Sequence, residues 1–112
     1  RIQIAEYYLQ NISNEKLILP RRRFDERLSH VYHLFAVRSP DRQKLREYLS
    51  GKGIGTDVHY PISPHKQKAL SEFRDCHLPL AEKIHETILS IPSGLHLSDG
   101  NVERIAQEIN LF

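Results

Sequence analysis

His59 and Tyr60 are the residues of this chain best suited to chemistry. An imidazole donates, accepts or carries a proton near neutral pH, and a phenol both donates and accepts hydrogen bonds. They close the run Gly53-Ile54-Gly55-Thr56-Asp57-Val58-His59-Tyr60-Pro61, in which Ile54, Thr56, Val58 and Tyr60 alternate with Gly55, Asp57 and His59. The alternation predicts a strand, opened by a turn at Gly51 and Gly53 and stopped by Pro61, which has no N–H for a ladder. Neighbours in a strand point to opposite faces, so the two side chains would leave its end on different sides. Such a pair, followed by the turn Pro61-Ile62-Ser63-Pro64, suits contact with a polar ligand. The same residues also describe a buried strand end whose Tyr60 hydroxyl meets a backbone partner.

Other reactive types are less organised. Of the seven histidines, His30 and His33 lie three apart, His59 and His65 six apart, and His77 and His85 eight apart. Neither an HExxH helix nor paired CxxC units is present, and structural zinc usually takes several thiolates where this chain has only Cys76. No metal site is expected. Cys76-His77 is a poor nucleophile–base pair, because adjacent side chains rarely face each other. There is no GxGxxG or GxxxxGK[ST] phosphate loop, and the acids fall on solvated helix faces rather than in a catalytic pair or triad. The Arg21-Arg22-Arg23 run is followed at once by Asp25 and Glu26, which reads as a solvated loop rather than a phosphate clamp.

The bulk numbers set the class. At 112 residues the chain makes one domain, large enough for a core but small enough to leave apolar surface uncovered. With 39% hydrophobic and 27% charged residues it is globular rather than disordered, and a net charge of +2 disfavours nucleic acid as partner. No apolar run nears the roughly 20 residues that span a bilayer, and no signal peptide is visible, so no membrane partner and a cytoplasmic location are expected. One cysteine excludes an internal disulfide and fits a reducing compartment. There is no methionine, and helical periodicity begins at once without a cap. These features suggest a fragment that starts inside a helix.

The elements that must position His59 and Tyr60 follow in order. Ala5, Tyr8, Leu9 and Ile12 fall on one face of a helix over 1–13. Leu17-Ile18-Leu19-Pro20 fits a strand or an extended arm, and 21–29 a polar, mobile loop. His30 to Arg38 reads as a central strand, with Val31, His33, Phe35 and Val37 on one face and Tyr32, Leu34 and Ala36 on the other. Ser39-Pro40-Asp41 predicts a helix start with serine as cap; Leu45, Tyr48 and Leu49 form its buried stripe and Gly51 its end. A short helix over 64–73 would turn Ala69, Leu70 and Phe73 inward. Leu78-Pro79 opens another, with Ala81, Ile84 and Ile88 at helical spacing, giving way near Glu86 to a strand that Pro92 stops. Ser98 caps a last helix carrying Val102, Ile105, Ala106 and Ile109. The order predicts an α/β two-layer sandwich: a small, mainly antiparallel sheet of three to four strands with helices on one face.

His30-Val31-Tyr32-His33-Leu34-Phe35-Ala36-Val37-Arg38 resembles a strand of the DegT/StrS family of sugar aminotransferases. The resemblance runs on collinearly through Arg42 to Leu49, Gly53 to Pro61, Pro64-His65-Lys66-Gln67, Leu78-Pro79-Leu80-Ala81-Glu82, Leu89-Ser90-Ile91-Pro92 and the helix after Ser98. It implies the C-terminal small domain, over 30–112, of a fold-type-I enzyme, with 1–29 as the end of an inter-domain helix and its connecting loop. The family uses pyridoxal 5'-phosphate (PLP) to move an amino group from an amino acid, usually glutamate, to a nucleotide-linked keto-sugar. The Schiff-base lysine belongs to the family's large domain, so the resemblance implies neither bound PLP nor activity for this segment alone. It further implies that His59 and Tyr60 line the nucleotide-sugar pocket, with His65 and Gln67 able to line the same cleft. His33 matches a family position too, although its alternation with Phe35 also fits packing. A homodimeric parent making amino-deoxy sugars for surface polysaccharide or lipopolysaccharide is expected. The alternative is a free-standing, non-catalytic α/β ligand-binding module.

Overall fold

In the computed structural model, which describes residues 1–22, 24 and 26–112, the regular elements are short and few. They are α1 (Ile2–Asn11), β1 (Phe35–Arg38), α2 (Arg42–Gly51), α3 (Pro79–Thr87), β2 (Ile88–Ile91) and α4 (Asp99–Leu111). Tighter 3-10 turns occupy Arg27–Ser29, Pro64–Lys66 and Lys68–Phe73. Arg23 of the basic run and Asp25 lie outside the described residues.

β1 pairs antiparallel with β2, setting Phe35 opposite Ile91 and Val37 opposite Leu89. Each edge is extended by one antiparallel bridge, Ile18 with Arg38 on one side and Asp57 with Ser90 on the other. The architecture is therefore the expected mixed one, a small antiparallel sheet with helices packed against it. The count of three to four strands is corrected to two among the described residues, flanked by these bridges.

The core forms where the helical patterns meet the sheet. Ala5 and Tyr8 of α1, Leu45 and Leu49 of α2, and Val102, Ile105, Ala106 and Ile109 of α4 are buried with Phe35, Val37, Leu89 and Ile91. Burying one such side chain contributes about 1.5–3 kcal/mol. Tyr8 meets Phe35 edge-on at 5.1 Å between centroids, and its hydroxyl donates to the carbonyl of Pro92 at 2.8 Å. Burial pushes that phenol's pKa up. The ends of α1 and α4 are cross-tied by amides: Asn110 Oδ1 accepts from Ser13 N and Asn110 Nδ2 donates to Asn11 O, both at 2.8 Å. Ser98 caps α4 as expected, its Oγ accepting from Asn101 N at 3.3 Å.

Several elements depart from the sequence pattern. The strand expected from His30 to Arg38 is confined to Phe35–Arg38. Tyr32 breaks it by adopting a φ of 49°, in the left-handed region that costs a residue with a Cβ roughly 1–2 kcal/mol. Stacking of His30 on Tyr32 at 4.0 Å, the bond from Tyr32 N to His30 Nδ1 and burial of the Tyr32 ring near Phe35 offset that cost. Val31, His33 and Leu34 are consequently exposed. The strand expected from Gly53 to Tyr60 reduces to the bridge at Asp57, because β2 offers only a short edge. α2 begins at Arg42, not after Ser39, whose Oγ instead accepts from Asp41 N at 3.2 Å. The left-handed residue after that helix is Gly53, with a φ of 72°, rather than Gly51, which is still helical. Over 64–73 two 3-10 turns replace the helix, and Ala69 and Phe73 face solvent.

Candidate functional site

A cleft of about 650 Å³ opens between the 53–59 segment, the turn after Pro92 and the first turns of α4. Its wall carries Arg1, His33, His59, His96 and Arg104, with Asp57 as its only acid among the described residues. This excess of cationic and imidazole groups suits an anionic ligand. Arg1 reaches it by donating to the carbonyl of His33, and Arg104 by donating to that of Lys52. His96 folds back over Gly94, where an added methyl would lie 2.5 Å from His96 Cε1. The glycine is what allows the ring to sit there.

His59 is tied into the wall by two polar side-chain contacts. The Asp57–Ser90 bridge, with N–O distances of 3.1 and 2.7 Å, brings the imidazole to β2. Ser90 Oγ then lies 2.9 Å from His59 Nδ1, while Asp57 Oδ2 stands 3.5 Å from Nε2. Ser90 is buried and Asp57 exposed, so the ring is oriented from the core side and keeps an edge toward the cleft. Such an imidazole can donate to a ligand oxygen or accept from a ligand hydroxyl.

The four residues singled out by sequence separate. His59 and His33 share the cleft. Tyr60 lies beside His59, rings 5.5 Å apart, but outside the cleft wall, with 63% of its surface exposed. His65 is buried elsewhere: its Nε2 sits 2.9 Å from Glu82 Oε1, and its Nδ1 has no partner among the described residues. The His65 bond, followed by that from the Leu78 N–H, holds the Glu82 carboxyl below the usual carboxylate range. Sequence reasoning passed over Asp57 as a site residue, although its spacing of two from His59 was available. It also passed over Ser90, His96 and Arg104, which reach the cleft only through tertiary contacts.

The residues present do not fit a covalently held PLP. That cofactor needs a lysine amine at its aldehyde, and no lysine lines the cleft among the described residues. Lys44 pairs with Asp41, Lys52 with Glu108, Lys66 with Glu82 and Lys83 with Glu86, while Lys16 donates to the carbonyl of Phe112. No group of three His, Cys, Asp or Glu residues gathers as metal ligands among the described residues, and Cys76 is exposed.

The sequence model of the DegT/DnrJ/EryC1/StrS aminotransferase family matches residues 1–110. The chain belongs to this family. It is 41% identical over 112 residues, all of its own length, to the dTDP-3-amino-3,6-dideoxy-alpha-D-galactopyranose transaminase of Aneurinibacillus thermoaerophilus, of which it covers 30%. Among solved structures it resembles S. venezuelae DesV in complex with a ketimine intermediate, with a TM-score of 0.88, 31% identity, and coverage of 97% of this chain and 30% of that one. NtdA from Bacillus subtilis with bound cofactor PMP shares the fold at a TM-score of 0.83 and 24% identity, over 97% of this chain and 26% of that one. This DegT-family chain thus spans about 30% of the length of the first two. Among its described residues no helix is long and apolar enough to cross a membrane.

Proposed function

We propose that this chain is the small domain, over 30–112, of a PLP-dependent nucleotide-sugar aminotransferase, with 1–29 as the end of an inter-domain helix and its connection. The observation that carries the reading is the cleft itself, whose wall has Arg1, His33, His59, His96 and Arg104 but no lysine among the described residues. It has what an anionic nucleotide sugar needs and lacks what cofactor attachment needs. The likeness of the whole chain to a dTDP-sugar transaminase supports the same substrate class. In this reading His59 faces the sugar nucleotide, Tyr60 closes the edge beside it, and His33 stands at the opposite rim. His65, buried against Glu82 away from the cleft wall, does not touch the ligand.

The cofactor is PLP, attached through residues of the rest of the enzyme, and the segment alone is inactive. The parent acts in the cytoplasm as a homodimer, takes its amino group from glutamate, and serves synthesis of an amino-deoxy sugar for a surface polysaccharide. In the full-length enzyme, His59→Asn or Tyr60→Phe is expected to raise KM for the sugar nucleotide while leaving cofactor occupancy, read from its visible absorbance, unchanged. Unaltered kinetics in both variants would remove these residues from the site. Transamination by the isolated 112-residue chain would overturn the claim of inactivity.

A further inference from the structure

Beyond the Asp57 bridge, the backbone that carries His59 and Tyr60 joins no ladder among the described residues. The Tyr60 ring is largely exposed and meets the edge of its neighbour His59. Where its phenol points is therefore set by how the backbone beneath it is held. Imidazoles do that holding at successive points: His59 on Ser90, His65 on Glu82, and His85, from the last turn of α3, on the carbonyl of Tyr60.

The His85 contact is the one that acts on Tyr60 itself. Its Nδ1 lies 2.5 Å from Tyr60 O, across 25 residues of sequence. A carbonyl oxygen only accepts, so Nδ1 must carry the hydrogen. The base of the contact is fixed in turn, because Arg42 Nη1 donates from α2 to the carbonyl of His85 at 2.5 Å. A guanidinium thus anchors the end of α3, and the imidazole on that end anchors Tyr60.

We propose that His85 is a positioning residue that orients the His59–Tyr60 edge for sugar-nucleotide binding by clamping the Tyr60 carbonyl. The substrate half of this inference rests on the function proposed above; the clamp itself does not. His85→Phe keeps a ring but removes the donor, whereas His85→Asn returns an amide N–H close to the Nδ1 position. In the full-length enzyme, His85→Phe is expected to raise KM for the sugar nucleotide about three- to tenfold, the range one hydrogen bond sustains, with kcat within about twofold. Hydrogen–deuterium exchange in the peptide over 58–65 should quicken by a similar factor while α4 is unaffected, and His85→Asn should restore both. Should His85→Phe not fold, His85→Ala is read in the same way. Unchanged exchange over 58–65 overturns the clamp whatever the enzyme does. Faster exchange with an unchanged KM overturns the positioning role, and Tyr60→Phe then separates the causes. An altered KM in Tyr60→Phe leaves the proposed site standing; an unaltered one removes Tyr60 from it.

Discussion

Two regions of this chain are held by different forces. Where α1, α2 and α4 meet β1 and β2, large side chains such as Tyr8, Phe35, Leu49 and Ile109 are wholly enclosed. From 57 to 80 the chain has no strand or α-helix before α3 opens at Pro79, and Tyr60, Ile62, Phe73, Leu78 and Leu80 are about half exposed or more. What ties that segment down is a set of single polar contacts to Ser90, Glu82 and His85. Enclosed apolar area acts collectively and without direction, whereas each polar contact acts on one backbone point. The stable region therefore supplies a frame, and the polar seam decides where the His59–Tyr60 edge rests on it. The exposed apolar side chains of the seam also predict self-association of the isolated chain.

The largest expected effect tests the frame. Leu49→Ala should cost about 2–5 kcal/mol, lowering the thermal midpoint by roughly 8 °C or more, since it empties a fully enclosed position. Phe73→Ala removes a bigger side chain from the seam, where it is 49% exposed, and should cost far less. Equal losses in thermal unfolding would erase the distinction between the two regions.

A smaller effect is expected at the start of α4. Ser98→Ala removes the acceptor for Asn101 N and should cost about 1 kcal/mol in denaturant unfolding. A null result would mean that packing alone holds this end of the frame.

The seam has a pH signature of its own. Bonds from His65 and Leu78 hold the Glu82 carboxyl below its ordinary range, so its folded pKa is depressed. A depressed carboxylate contributes stability that is present above the unfolded pKa and is lost as pH falls through the folded one. Amide protection over 62–78, taken relative to the intrinsic exchange rate at each pH, should therefore fall on acidification below the usual carboxylate range, and Glu82→Gln should remove that dependence. An acid response in Glu82→Gln identical to the parent's would assign the effect to another group. The smallest effect belongs to Lys44, whose pairing with Asp41 is exposed on both sides. Lys44→Ala should leave the melting curve unchanged.

Legibility followed the same division. The stripes of α2 and α4 were readable because each needs only its own 3.6-residue period, and Leu45, Leu49, Val102, Ile105, Ala106 and Ile109 are buried as that period requires. The junction of α3 with β2 lies within two residues of its expected place near Glu86: Ile88 still fits the helical spacing, but the apolar run it opens is bounded by Pro92 and extends as a strand. The His30 and Gly53 strands were overread because alternation shows which residues could pair and not how much partner strand exists. Of the residues singled out by sequence, His59 and His33 line the cleft, while His65 is buried against Glu82. Nothing local to Pro64-His65-Lys66 distinguishes those outcomes.

By itself, then, the order of residues determined the helices α1 to α4, though not the 3-10 turns over 64–73, together with the mixed α/β class and the membership of an aminotransferase family. The tertiary structure alone decided that β1 stops short at a left-handed Tyr32, that Asp57 meets Ser90, and that Arg1 and Arg104 stand in one cleft. The reason is range. A helix closes its hydrogen bonds four residues away, whereas the bond between His85 and Tyr60 spans 25 residues and that between Arg1 and His33 spans 32. Contacts of that reach exist only after the core has brought distant segments together.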